Sequence, residues 1–99
     1  MQYVTIFPIY RKYTNNKVFF KIISLQKFEE LTEAKPAGLD HFHIFKDRNE
    51  KNRFFLVEYW HSKDDRVKME NSKEYHLFRE HRKLVIEKKY EVYECDVVI

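Results

Sequence analysis

Ninety-nine residues make one domain, spanning 1–99, with a thin core. A hydrophobic share of 43%, a charged share of 35% and a net charge of +3 with acids and bases interleaved are a soluble globular balance, which excludes the electrostatic footprint of a nucleic-acid or membrane-surface binder. No apolar run is long enough to span a membrane, Met1-Gln2-Tyr3-Val4 has no leader pattern, and the single Cys95 removes internal disulfides and thiolate metal clusters, so a cytoplasmic location is expected.

Tyr3 to Tyr10 is rich in β-branched and aromatic residues and reads as a strand, with Pro8 favouring an edge or a bulge near its end. Thr14-Asn15-Asn16 is turn and capping chemistry, and the apolar spacing from Phe19 through Ile22, Ile23, Leu25, Phe28 and Leu31 predicts a helix over Lys17 to Glu33. Lys35-Pro36-Ala37-Gly38, with the only glycine, ends it. Leu39 to Lys46 alternates, placing His41, His43 and Phe45 on one face of a strand and Phe42 and Ile44 on the other.

Phe54 to Trp60 is a further strand, apolar or aromatic on both faces, as expected of a strand covered on both sides. Ser62-Lys63-Asp64-Asp65 is a capping box that opens a short helix. Asn71-Ser72 starts a longer helix, Lys73 to about Lys88, with Tyr75, Phe78, Arg82 and Val85 on one stripe. Tyr90 to Ile99 alternates again as the last strand, where Cys95 is expected to be a small buried hydrophobe.

The order β-α-β-β-α-β is the split βαβ arrangement: an α+β, ferredoxin-like fold with a four-stranded antiparallel sheet. Its helices cover one sheet face only. Nine Phe, seven Tyr and one Trp exceed what a small core needs, and a second copy of the sheet is the expected cover for the other face.

With that order established, the residues resemble the antibiotic biosynthesis monooxygenase family. Asn52-Arg53-Phe54-Phe55-Leu56-Val57-Glu58-Tyr59-Trp60 followed by His61-Ser62-Lys63-Asp64 is similar to the family's central strand and turn. Pro36-Ala37-Gly38-Leu39 with Phe42 and Phe45-Lys46-Asp47 is similar to its preceding strand, and Asn71-Ser72-Lys73-Glu74-Tyr75 with Phe78 and Tyr93-Glu94 to its end. The resemblance implies a homodimeric α/β barrel with a ligand cleft between sheet and helices in each subunit. It also implies oxidation of phenolic or quinol substrates by molecular oxygen with no cofactor, or haem degradation or small-metabolite handling in other members. This chain departs from the pattern: Met69 and Glu74 stand where the family often has His, Arg79 stands where haem-degrading relatives have a helical His, and the first strand lacks their Asn.

Trp60 and Glu58 are the candidate catalytic residues. An indole can stack on a flat aromatic substrate, and Glu58, on the same strand face, can take a phenolic proton if burial raises its pKa; a structural ion pair with an Arg is the competing role. Tyr75, Phe78, Arg82 and Phe42 are the candidate substrate-binding residues. His41 and His43, two apart on a strand, have the spacing of a metal pair with His61 as a third ligand, but their face is expected to meet solvent or the partner, so no metal site is assigned. His76 and His81, five apart, do not share a helical face. An RNA-recognition domain shares the topology, but Asn52 to Trp60 lacks the glycines its signature needs. The sequence thus supports a monooxygenase acting without a cofactor on a small aromatic or quinol-like molecule. A non-catalytic dimeric module binding a small metabolite is the alternative, and a metabolite isomerase a third.

Overall fold

A computed structural model describes residues 2–12, 15–24, 29–30, 36–86 and 91–99. The elements are β1 (Tyr3–Tyr10), α1 (Asn16–Ile23), β2 (Leu39–Lys46), β3 (Arg53–Trp60), α2 (Lys63–Glu70), α3 (Lys73–Lys83) and β4 (Tyr93–Asp96). The strands form one antiparallel sheet in the order β2-β3-β1-β4, the arrangement expected of a ferredoxin-like chain.

Register decides which side chains meet. Across β1 and β3, Tyr3 faces Trp60, Thr5 faces Glu58, Phe7 faces Leu56 and Ile9 faces Phe54. By the period of two these residues share the sheet face that carries the helices, and all eight are buried. β1 lies inside the sheet; among the described residues β4 pairs with Tyr3 to Ile6, and Pro8 lies beyond that pairing.

Each of α1, α2 and α3 starts on the side chain that the sequence marks. Asn15 accepts from the backbone N–H of Val18, Ser62 from Asp65 and Ser72 from Tyr75. Ser62 Oγ also donates to the Asp65 carboxylate at 3.1 Å, which ties the cap to the first turn of α2. Gly38, at φ +84°, makes the turn into β2, and its carbonyl accepts from the N–H of His61.

Three boundaries differ from the sequence reading. α1 is seen over Asn16–Ile23 and Glu29 and Glu30 are helical, while Leu25 to Phe28 and Leu31 to Lys35 lie outside the described residues. α3 stops at Lys83 instead of about Lys88, because Val85 and Ile86 turn towards β1: Lys12 donates to the Val85 carbonyl and Ile86 bridges Arg11. β4 is only Tyr93–Asp96, with Tyr90 outside the described residues. Cys95 on it is exposed, not buried, since β4 is a sheet edge.

The sheet's other face carries Val4, Ile6, Pro8 and Tyr10 of β1 beside Tyr59, Val57, Phe55 and Arg53 of β3. Val57 is buried, but Phe55 and Tyr59 are half-covered and Phe45 and Tyr93 are 51% exposed. The expectation of a strand covered on both sides thus holds for the helix side of β3.

Candidate functional site

The core between sheet and helices is divided into two apolar clusters. One gathers Tyr3, Leu39, Trp60, Met69, Tyr75 and Phe78; the other is built from Phe7, Ile9, Phe19, Ile23, Phe54, Leu56, Val85 and Ile86, and Phe42 packs against both. Among the described residues the buried charged side chains are Glu58, Arg66 and Arg82, with Thr5 and Ser24 the buried uncharged polar ones. A charged group this deep persists only when it is paired or serves a purpose other than stability.

Glu58 is the centre of that polar seam. It is 1% exposed, accepts a hydrogen bond from Thr5 Oγ1 at 3.2 Å, and has Arg66 Nε 3.9 Å from its Oε1. Burial pushes its carboxyl above the ordinary range; Arg82 and then Arg66 pull the other way without overcoming it. The carboxylate is therefore more basic than one in water, as the role of base requires.

The two arginines are held from different elements. Arg82, on α3, donates from Nη2 to the Ile23 carbonyl at 2.7 Å, with its guanidinium 4.5 Å from the Phe78 ring centre and 5.5 Å from that of Phe7. Arg66, on α2, pairs through Nη1 with Glu70 one turn on, and lies 5.1 Å from the centre of Phe7. Phe7 is thus flanked by both cations.

Trp60 is fully buried, and its indole N–H comes near Glu58 without closing a hydrogen bond. Tyr75 and Phe78 set their rings 5.8 Å apart, tilted by 36°, in the same cluster. Tyr3, opposite Trp60, donates to Glu94 of β4, and burial together with that bond raises its hydroxyl to about 12.

The structure therefore brings together all six residues singled out in the sequence: Trp60, Tyr75, Phe78 and Phe42 in one cluster, Glu58 and Arg82 in the seam beside it. Arg66, Thr5 and Tyr3 are further members that sequence reasoning missed. Thr5 had a readable signal, being the one polar residue on the Tyr3-Thr5-Phe7-Ile9 face. Arg66 shares a helical face with Met69 and Glu70, but nothing local distinguishes a buried arginine there from a solvated one. Arg79 is exposed, and buried Met69 fills space in the Trp60 cluster.

A recess of about 250 Å³ opens between the end of α1 and β2, walled by Ser24, Pro36, Leu39 and Phe42, with Asp40 and Glu29 at its polar side. It touches the Trp60 cluster through Leu39 and Phe42. A larger hollow of about 570 Å³ lies on the outer side of α3, against Lys73, His76, Leu77 and Lys83, and includes none of the residues singled out above.

The two strand histidines do share a face, with rings 5.4 Å apart, and His41 stacks on Tyr59 at 4.1 Å while its Nδ1 meets Asp40 at 2.9 Å. Among the described residues no three His, Cys, Asp or Glu side chains are grouped to hold a metal ion, and no helix is long and apolar enough to cross a membrane.

No protein-family model matches the chain, and no curated protein matches its sequence. Solved structures do match along its whole length. The Nitrosomonas europaea protein named "putative antibiotic biosynthesis monooxygenase" is 18% identical, with 98% of this chain and 99% of that one covered at a TM-score of 0.73. A Bordetella bronchiseptica protein of the same name is 15% identical, with 99% and 98% covered at 0.79. SnoaB, a cofactor-independent oxygenase from Streptomyces nogalater, is 8% identical, with 97% and 92% covered at 0.76. At such identities the likeness is one of fold: this chain has the fold of proteins named antibiotic biosynthesis monooxygenases, as the motifs from Pro36 to Glu94 suggest.

Proposed function

We propose that this protein is a monooxygenase that acts on a small aromatic or quinol-like molecule without a bound cofactor. The observation that carries the reading is Glu58, a carboxylate buried beside Trp60 with its basicity raised. A phenol or quinol that loses a proton becomes electron-rich enough to reduce molecular oxygen directly. The protein then needs to supply a base, a dry site and orientation. Glu58 is the base, Trp60 stacks on the substrate, Arg82 steadies its oxygen, and Tyr75, Phe78 and Phe42 form the wall. The recess beside Phe42 is the route of entry. Likeness of fold to SnoaB supports the reaction class, with the site residues argued from this chain alone.

The working unit in this proposal is a homodimer in the cytoplasm. Its support is the sheet face opposite the helices, where Phe45, Phe55, Tyr59 and Tyr93 are left half-covered or exposed beside Val4, Ile6 and Val57. A contiguous aromatic face of that kind is stabilised by burial against a second copy. Sedimentation as a folded monomer at high concentration contradicts it.

The reaction is tested by oxygen uptake with a panel of quinols and hydroxylated polycyclic compounds. Consumption above buffer with at least one member is expected; none across the panel counts against the proposal. The alternative, a dimer that binds a small metabolite unchanged, is favoured by Met69, a packed apolar side chain where the family often has an ionisable one. Recovery of bound compound unaltered after aerobic incubation supports that alternative.

A further inference from the structure

The sheet face turned away from the helices carries two histidines that the proposed chemistry does not use. By register His41 stands beside Tyr59 and His43 beside Val57 of β3, with Phe45 next along β2 and opposite Phe55. The side chains on this face of the described strands include no carboxylate. His41 meets Asp40, at the bulge of β2, through Nδ1 at 2.9 Å, and its ring lies nearly flat on Tyr59 at 4.1 Å. Glu29 shares a recess with Asp40 and His41, and His61 is near enough to Asp40 to act on its charge. His43 has its ring centre 5.4 Å from that of His41 and 6.3 Å from that of Tyr59, and it makes no ion pair among the described residues. Farther along the face, Arg53 has Asp47 and Glu50 within 3.8 Å, while β1 and β4 contribute Tyr10, Tyr93 and Cys95 as their titratable groups.

We propose that His41 and His43 make the pairing of two copies depend on pH: the dimer holds at neutral pH and is released as the two histidines take up protons in mild acid. This rests on the homodimer of the proposed function and adds its regulation. A neutral imidazole packs well against an aromatic face, whereas a protonated one needs water or an anion. A proton on His41 is matched by the Asp40 carboxylate and by the Tyr59 ring beneath it. One on His43 has no such match and lies beside the first, so it is the charge that a second copy would bury without compensation. The separated copies leave that charge in water and therefore bind more protons than the dimer does. Association is then complete above the ordinary imidazole range and weakens as the pH falls through it. With one proton excluded per copy, the dissociation constant rises by about a hundredfold at roughly one pH unit below that range.

Sedimentation equilibrium of the intact chain from pH 8 to 5.5 at constant ionic strength reads the dissociation constant, with near-ultraviolet circular dichroism following the fold. A dimer at pH 8 whose constant rises about a hundredfold by pH 5.5 is expected. His43→Gln, which takes no proton, is expected to hold that rise below about tenfold, and His41→Gln to reduce it by less. His43→Lys carries its charge at every pH used and is expected to weaken the dimer about tenfold or more at pH 8, so the test does not depend on the fold surviving acid. His76→Gln, on the outer side of α3, is expected to follow the wild type. A constant that does not change with pH, an undiminished rise in His43→Gln, or a His43→Lys dimer as tight as the wild type overturns the switch and leaves the dimer standing. A wild type that is a folded monomer at pH 8 overturns the dimer and the switch together. Neither result touches the oxygenase reading, which oxygen uptake tests separately.

Discussion

Replacing Glu58 with Gln separates a carboxylate that acts as a base from one that only pairs with arginines. Burial raises its pKa above the ordinary 4.5 even with Arg66 3.9 Å away. The gross attraction at that separation is on the order of 4 kcal/mol at an effective dielectric of about 20, so the cost of burying the charge is larger still. With the folded pKa raised, the stability linked to protonated Glu58 is complete below pH 4.5 and is lost as the pH rises through the folded value. Glutamine mimics the protonated form and does not titrate. The variant is therefore expected to match the wild type near pH 4 and to gain on it at higher pH. The gain approaches about 1.4 kcal/mol per pH unit before levelling off above the folded pKa. Urea unfolding of both proteins from pH 4 to 8 measures this, and taking the difference cancels the other titrations. A wild type that gains on the variant as pH rises refutes the reasoning, for then the arginines outweigh burial and Glu58 is a structural ion pair.

Three further outcomes follow from packing and local geometry. Phe78→Ala removes a fully buried ring between Tyr75 and Arg82 and is expected to cost about 3–5 kcal/mol in urea unfolding; a loss under about 1 kcal/mol contradicts the packing described. Gly38→Ala puts a methyl within 2.4 Å of the Asp65 side chain at φ +84°, straining the turn and disturbing the Ser62 cap of α2, so a loss of roughly 2–4 kcal/mol is expected and an unchanged melting temperature argues against this turn. Tyr3 ionises near 12, so in an ultraviolet pH titration one phenol should resist ionisation through pH 11 and disappear in Tyr3→Phe; its contribution to stability is complete below pH 10 and is lost as pH rises through about 12. Loss of an ordinary titration near pH 10 in that variant contradicts the assignment.

Much of the fold is legible in the sequence because the signals are local. Alternation of β-branched and aromatic residues gives β1 and β2 their observed limits, and Asn15, Ser62 and Ser72 mark helix starts by a mechanism that needs only three following residues. The end of α3 is not legible, because Val85 and Ile86 continue the helical pattern and only β1 draws them away. Exposure of Cys95 likewise depends on how far β4 pairs along β1.

The candidate site divides the same way. Glu58 and Trp60 are readable from the period of two, and Tyr75, Phe78 and Arg82 from helical spacing. Arg66 is not, since its burial is fixed by Phe7 on a strand 59 positions earlier, reached only through the tertiary fold.

Oxygen labelling tests the central claim most directly. A quinol or phenol that the wild type oxidises under ¹⁸O₂ is expected to yield a product heavier by one labelled oxygen atom, the other oxygen leaving as water. Glu58→Gln, still folded, is expected to be slower by about 10² or more. An unlabelled product, or equal turnover by the variant, contradicts the account.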